Sequence, residues 1–169
     1  DLPFDMIIYA TGFDAVVGGF NRLDIRGVND QTLADKWVNG PRTHLGMQVS
    51  GFPNLFMLVG PHNAASFCNI PRCIEQNVEW VSDLVDFMTA KGLATVDATL
   101  AAEEEWTEHV YQSAERMLLT KVDSWFNGIN SNIPGRQTRN FLLYAAGAPA
   151  YREKCDTVAG NGYSGMSFE

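Results

Sequence analysis

The clearest periodic pattern in the chain is an apolar repeat with helical spacing between residues 73 and 90. Apolar side chains that recur every three or four residues lie on one face of a helix. Gly92 follows the repeat and suits a helix C-cap, because glycine accepts the left-handed backbone conformation that ends many helices. We therefore predict a helix over residues 73–90, with a buried stripe that comprises Ile74, Val78, Val81, Leu84, Val85 and Met88.

Two further segments have a helical pattern. The longer covers residues 100–119, and the shorter covers residues 149–159, where Pro149 suits the first turn of a helix. The stripe expected to face the core in the longer helix comprises Trp106, Val110, Ala114, Met117 and Leu118.

Short apolar runs bounded by glycine, proline or polar residues predict strands. The first run, residues 6–10, stops before Gly12, as a buried parallel strand does when it leads into a close backbone turn. Strands that alternate with helices predict an α/β fold, here a mixed sheet with flanking helices. Further strands are expected at residues 23–26, 45–49, 55–59 and 141–146.

Composition limits the class of partner. The 169 residues are 46% hydrophobic and 19% charged, which is ordinary for a globular protein. The net charge is −8 without any lysine or arginine cluster, so neither nucleic acid nor an anionic membrane is expected as a partner. Acidic residues concentrate only at residues 103–105, where we expect a solvated helix face. No apolar run reaches the roughly 18–20 residues that span a bilayer.

The cysteines and histidines predict no metal site. The three cysteines lack the spacing of metal ligands, and we expect reduced thiols in a cytoplasmic protein. His44, His62 and His109 are far apart in the sequence, so they assemble neither a zinc site nor a Ser/His/Asp triad.

The glycine-rich parts of the chain predict no pyrophosphate cradle. Residues 123–137 form a polar loop that is too long for a simple connection in a compact domain. The chain has no P-loop motif, and no Gly-x-Gly-x-x-Gly run lies between a predicted strand and a predicted helix. Any dinucleotide binding would therefore depend on residues outside this chain.

The end of the first predicted strand resembles a known motif. Asp5, a hydrophobic strand and then Ala10-Thr11-Gly12-Phe13 resemble the segment that joins the NADPH domain back to the FAD domain in class B flavin monooxygenases. The resemblance implies that the chain is cut from a larger flavoprotein with two dinucleotide-binding domains. Residues 1–14 would return from the NADPH domain, and residues 15–169 would form the C-terminal part of the FAD-binding domain.

Three later segments narrow the resemblance to Baeyer–Villiger monooxygenases, which insert oxygen beside a ketone carbonyl. Residues 51–61 resemble the family's strand and Gly-Pro turn, and residues 74–80 resemble the helix after the flavin loop. Residues 123–135 resemble the family's mobile loop, whose tryptophan contacts NADP. The match continues at residues 141–144, at Tyr151-Arg152 and at residues 162–165. In order and spacing, all these matches together cover nearly the whole chain.

The resemblance implies two cofactors, FAD and NADP, and assigns residues to them. The implied cofactor contacts are Thr11, Gly12, Gly60, Pro61, Asn69, Ile70 and Trp125. The implied substrate contacts are a loop beside the pocket and one residue of its wall, namely Ala65, Ser66, Phe67 and Leu142.

The activity implied by the resemblance is the conversion of ketones to esters or lactones with NADPH, FAD and O2. The catalytic arginine is expected upstream of this chain, so no catalytic residue and no metal ligand is assigned within it, and the isolated chain is expected to be inactive. The expected partners are the N-terminal FAD and NADPH domains and a small ketone. Two alternatives remain open: a class B flavin monooxygenase that oxidises nitrogen or sulfur, and a catalytically inactive α/β binding module.

Overall fold

The computed structural model describes residues 3–10, 12–135 and 137–169, with the side chains of Ala65 and Ser66 left out. The helices are α1 (Leu33–Lys36), α2 (Ile70–Lys91), α3 (Leu100–Ala114) and α4 (Ala148–Gly160), and the strands are β1 (Val96–Ala98) and β2 (Met166–Phe168). Short 3-10 turns lie at Phe20–Arg22, Val28–Asp30, Ala64–Phe67, Leu118–Lys121 and Trp125–Asn127. No described helix is both long and apolar enough to cross a membrane.

Helix α2 confirms the helix predicted over residues 73–90 and begins three residues earlier. The side chain of Asn69 caps its N-terminus by accepting a hydrogen bond from the backbone of Arg72, and Pro71 lies in the first turn. Gly92 ends the helix with a left-handed φ of 67°, and its N–H donates to the carbonyls of Met88 and Thr89. Both ends of α2 are therefore fixed by the local sequence.

The predicted buried stripe of α2 is largely wrong. Ile74, Val78 and Val85 are 37%, 42% and 47% exposed, and Val81 is half-buried. Compared with the prediction, the helix is turned about its own axis by about one residue and buries the neighbouring stripe. In this orientation the Trp80 indole donates a hydrogen bond to the carbonyl of Cys155 at 3.0 Å. α2 thus has two adjacent apolar stripes, and the described chain covers only the one formed by Cys73, Asn77, Trp80, Leu84 and Met88.

Helix α3 is shorter than predicted. Trp106, Val110 and Ala114 are buried as expected, but Met117 is only half-buried and Leu118 is 78% exposed. After Ala114 the chain turns, with the Met117 N–H donating to the Ala114 carbonyl at 2.9 Å, and the Asn127 amide then donates to the carbonyls of Leu119 and Val122 at 2.6 and 2.7 Å. The third predicted helix is confirmed as α4, within one residue at each end.

The acidic run at 103–105 is not a fully solvated face. Glu103 is completely buried, where its carboxylate pairs with Lys36 at 3.1 Å and accepts the backbone N–H of Ser50 at 2.6 Å. A buried carboxylate needs such partners to offset the loss of water. Burial nevertheless raises the pKa of Glu103.

The α/β class is confirmed, although the sheet differs from the prediction. β1 and β2 pair antiparallel, with Val96 opposite Phe168, and neither strand was predicted. The predicted strands at 6–10, 23–26, 45–49, 55–59 and 141–146 form no regular ladder among the described residues. In the first of them Met6, Ile7 and Ile8 are 76%, 67% and 81% exposed, because no neighbouring strand of the described chain pairs with it.

The cysteine prediction is wrong for one pair. Cys68 and Cys73 form a disulfide that joins the loop before α2 to its first turn, whereas Cys155 is free and buried. The turn at the helix start brings the two Cα atoms to 7.0 Å from each other.

The corrected orientation of α2 can be tested with neighbouring substitutions. Leu84 is fully buried, so we expect Leu84→Ala to lower the free energy of unfolding by roughly 2–5 kcal/mol through loss of apolar contacts and the cavity left behind. Val85→Ala should change it by no more than about 0.5 kcal/mol, since Val85 is largely exposed. Urea unfolding measures both, and equal losses would contradict the observed rotation.

Candidate cofactor and substrate site

A buried, extended segment, Phe141 to Tyr144, lies between the two parts of the chain with implied cofactor roles. All four residues are at most 4% exposed. The N–H of Leu142 donates to the carbonyl of Phe126 at 3.0 Å, and its own carbonyl accepts the N–H of His62 at 2.8 Å. The Gly-Pro turn and the Trp125 loop are therefore attached to the same residue.

The glycine of the Gly-Pro turn is required by packing within the chain. Gly60 and Pro61 are both buried. A Cβ on Gly60 would lie 2.6 Å from the carbonyl oxygen of Gly46, which is too close for any side chain. The turn is thus packed closely against the segment around Gly46.

His62 holds this turn from the inside. The imidazole is fully buried, with Nε2 at 3.1 Å from the carbonyl of Phe141 and Nδ1 at 3.2 Å from the hydroxyl of Thr43. Since a carbonyl only accepts, Nε2 carries the proton and Nδ1 is an acceptor. Burial lowers the pKa of His62 from 6.5 to about 4. The neutral imidazole is thus held by one hydrogen bond at each ring nitrogen.

A buried polar network ties the same turn to α2 and α4. The Asn77 carbonyl oxygen accepts hydrogen bonds from the Val59 N–H at 3.3 Å and from the Asn63 amide at 2.8 Å. Asn63 also donates to the Tyr151 hydroxyl at 2.7 Å, and that hydroxyl donates to the carbonyl of Leu45 at 2.7 Å. Sequence reasoning missed this network. The sign of it in the sequence was Asn77, a polar residue on the same helical face as Trp80 and Leu84.

Three aromatic rings form a row between the predicted NADP loop and the predicted substrate loop. Trp125 is 48% exposed and lies against Phe126, with ring centroids 3.8 Å apart. Phe126 in turn lies 6.5 Å from Phe67, with the two rings within 22° of parallel. Phe126 was not among the predicted site residues, although it follows Trp125 directly. We call Phe67, Phe126 and Trp125 the aromatic row.

The loop that carries Trp125 is fixed at its base. Asn127 is 1% exposed, and its amide donates two hydrogen bonds to the carbonyls of Leu119 and Val122. Gly128 follows with a left-handed φ of 70°, and Arg139 pairs with Asp123 at 2.6 Å across the loop ends. The exposed indole is therefore presented by a loop with an ordered base.

The structure brings Gly12 close to Trp125. Both residues line an open hollow of about 650 Å³, together with Phe13, Ala15 and Ile129. Gly12 has a φ of 82°, and a Cβ there would meet nothing within 4 Å. The space beside its main chain is thus free for a ligand to approach closely. The neighbouring prediction, Thr11, lies outside the described residues.

The remaining predicted residues differ in exposure. Asn69 and Ile70 are exposed at the start of α2, and Phe67 is 43% exposed. Leu142 is 2% exposed and faces a small cavity of about 110 Å³ that Gly128 and Asn140 also line. The backbone of Ala65 and Ser66 lies in the 3-10 turn Ala64–Phe67, whereas their side chains are outside the description.

One glycine run has the spacing of a dinucleotide fingerprint but the wrong surroundings. Residues 160–165 read Gly-x-Gly-x-x-Gly. They follow α4 and precede β2, whereas a pyrophosphate cradle follows a strand and opens a helix. The run therefore provides no helix N-terminus for a phosphate.

Known proteins resemble the chain over nearly all of its length, although no protein-family model matches it. A 2-oxo-Delta(3)-4,5,5-trimethylcyclopentenylacetyl-CoA monooxygenase of Pseudomonas putida is 45% identical over 97% of this chain and 30% of the relative. A phenazine N-monooxygenase of Lysobacter antibioticus is 39% identical over 96% of this chain and 29% of the relative. The crystal structure of OTEMO with FAD and NADP superposes with a TM-score of 0.89 at 42% identity, covering 99% of this chain and 30% of that one.

Sequence and fold together define the class: the chain matches one part of a flavin-dependent monooxygenase. More narrowly, it is similar to part of Baeyer–Villiger monooxygenases, the family that its motifs resemble. The chain spans about 30% of the length of the curated relatives it matches.

The buried His62 predicts a specific loss of stability in acid. Because its pKa is about 4 in the folded state against an ordinary 6.5, the unfolded state takes up the proton first as the pH falls. The free energy of unfolding should therefore fall between pH 6.5 and pH 4, by up to about 3 kcal/mol from this residue.

Urea unfolding at pH 7 and at pH 4 measures this effect, with His62→Gln as the comparison. The variant should be less stable at pH 7 but should lose less between the two pH values. His44 and His109 titrate in both proteins, so the difference isolates His62. Identical pH dependence in both proteins would contradict the prediction.

Proposed function

We propose that the chain is the returning part of the FAD domain of a Baeyer–Villiger monooxygenase, together with the loop that closes over NADP. The activity proposed for the whole enzyme is the conversion of ketones to esters or lactones with NADPH, FAD and O2. Residues 1–14 would lead back from the NADPH domain, and residues 15–169 would complete the FAD domain.

The observation that carries this proposal is the aromatic row next to the hollow beside Gly12. Trp125 offers an exposed face on which a planar ring can stack, and its N–H is a hydrogen-bond donor. Phe126 joins it to Phe67, which belongs to the loop with the proposed substrate contacts. A molecule stacked on Trp125 would therefore lie close to that loop.

The residues present fit the two dinucleotides in different ways. Gly12, Asn69, Ile70 and Trp125 are exposed and are proposed to touch FAD or NADP directly. Gly60 and Pro61 are buried, so they would shape the flavin side of the turn mainly through their main chain. When bound, the flavin supplies the oxygen chemistry, and the nicotinamide dinucleotide supplies the electrons. This chain's part would be to position both groups and to exclude water.

Phe67 and Leu142 are proposed as apolar contacts of the ketone, along with Ala65 and Ser66. A pocket for a small ketone needs mostly apolar walls and few polar groups. Phe67 is partly exposed and can reach a ligand, whereas Leu142 would support the wall from behind.

The uncovered stripe of α2 supports a partner within a longer polypeptide. Ile70, Ile74, Val78 and Val85 are each between 37% and 52% exposed along one helix face. We propose that the N-terminal FAD and NADPH domains pack on this stripe and pair with the exposed segment at residues 6–10. Both surfaces are more apolar than a solvated face requires.

Product analysis tests the proposed reaction. An enzyme of full family length that carries this segment should convert a cyclic ketone to a lactone in the presence of NADPH and O2. A thioether is offered in parallel. Oxidation of the thioether without any lactone would favour the nitrogen- or sulfur-oxidising alternative, and no oxidation of either compound would favour an inactive binding module.

The proposed NADP contact predicts a graded effect at Trp125. In the same enzyme, Trp125→Ala should weaken NADP binding by about three- to tenfold, the value of one aromatic stacking contact. Trp125→Phe should retain most of the affinity, since a ring remains. Titration calorimetry gives both dissociation constants, and the flavin content should stay unchanged. Unaltered NADP affinity in Trp125→Ala would contradict the assignment.

A further inference from the structure

Phe126 is the middle member of the aromatic row and contacts both of its neighbours. Its ring centroid lies 3.8 Å from that of Trp125 and 6.5 Å from that of Phe67. Aromatic rings attract each other at centroid separations of roughly 4.5–7 Å, and the shorter of the two distances is direct contact. Trp125 and Phe67 therefore interact with the same ring, although one follows α3 and the other precedes α2.

The two outer rings of the row each have a free surface. Trp125 is 48% and Phe67 is 43% exposed. Phe126 is half-buried and packs against the hydrophobic core. In the proposed function a dinucleotide stacks on Trp125 and a ketone lies against Phe67. The two ligands would thus each contact one end of the row, with Phe126 between them.

The main chain that carries the row is held at both ends. The carbonyl of Phe126 accepts the N–H of Leu142 at 3.0 Å, and Leu142 is itself 2% exposed. At the other end, the residue after Phe67 is Cys68, which forms the disulfide with Cys73 in the first turn of α2. Since the loops are fixed next to their rings, the side chains have more freedom than the main chain. A ring that changes position therefore displaces its neighbour more readily than its own loop.

Contact through Phe126 links the ordering of the two ends of the row. A partly exposed side chain loses rotational freedom when a ligand fixes it, and this loss opposes binding. A ligand at one end also restricts Phe126, so the ring at the other end has less freedom left to lose. The second ligand then binds more tightly than it would alone, and linkage requires the same gain in both directions.

We propose that Phe126 is a positioning residue that couples the binding of NADP at Trp125 to the binding of the ketone at Phe67. It acts through its two neighbours and not through the reacting atoms. The inference rests on the proposed function, from which both ligands are taken. The expected coupling is about two- to tenfold in each dissociation constant, which is the value of one aromatic contact.

Calorimetric titration of the oxidised enzyme of full family length that carries this segment tests the coupling. The probes are NADP and cyclohexanone, and no turnover occurs because no reduced cofactor is present. Each probe is titrated alone and in the presence of the other, and each should tighten the binding of the other by the same factor.

Three variants locate the coupling in the row. Phe126→Leu removes the ring but keeps an apolar side chain, so it should abolish the coupling and change the affinity for each probe alone by no more than about twofold. Phe126→Tyr retains the ring and should retain the coupling. Phe67→Leu breaks the row at an exposed position, where the fold tolerates a change, and should abolish the coupling as well.

Phe20→Leu is the matched control, since it removes a half-buried ring from a different aromatic pair. Phe20 lies edge-on to Trp37 with ring centroids 5.8 Å apart, and neither residue belongs to the row. This variant should keep the full coupling, and flavin content shows that each variant is folded. If both probes bind, then no coupling in the unmodified enzyme, unchanged coupling in Phe126→Leu, or an equal loss in Phe20→Leu overturns this inference alone. Failure of either probe to bind the unmodified enzyme overturns the proposed function as well.

Discussion

The arrangement of the proposed site depends on the main chain of Leu142. Its N–H binds the carbonyl of Phe126, and its carbonyl binds the N–H of His62, so one residue sets the distance between the Gly-Pro turn and the Trp125 loop. Leu142 is itself almost fully buried. Hydrogen bonds in such a dry setting are hard to exchange for water, because each broken bond leaves a buried polar group unpaired. The two segments therefore have little freedom to move independently at this point.

Buried polar groups add direction to the apolar packing around the turn. Asn63, Asn77 and Tyr151 satisfy one another, and the hydroxyl of Tyr151 reaches the carbonyl of Leu45. Apolar side chains would fill the same volume but would not fix the direction of the turn. A satisfied polar network permits few alternative arrangements, since a partly paired one is costly. The neutral state of His62 fits this environment, because burial opposes its charge.

The sequence predicted what local rules determine and missed what distant contacts determine. The ends of α2 follow from Asn69 and Gly92, which lie next to the residues they cap. Its rotation does not, because two apolar stripes compete, and contacts with distant parts of the chain, such as that of Trp80 with α4, accompany the observed orientation. The path of the chain after α3 likewise includes a contact from the following loop, since Asn127 donates to the carbonyls of Leu119 and Val122. Local patterns gave no indication of either contact.

The same distinction applies to the candidate site. Trp125 could be identified from its sequence surroundings, whereas the aromatic row could not, since Phe67 and Phe126 are brought together by the fold. The predicted role of Gly60 shows the converse. The resemblance implied that Gly60 contacts the flavin, yet the lack of a Cβ at this position is already required by the carbonyl of Gly46. A cofactor that follows this turn would thus meet a surface shaped in advance by packing inside the chain. Such a surface binds with a smaller loss of conformational entropy than a loop that must first be ordered.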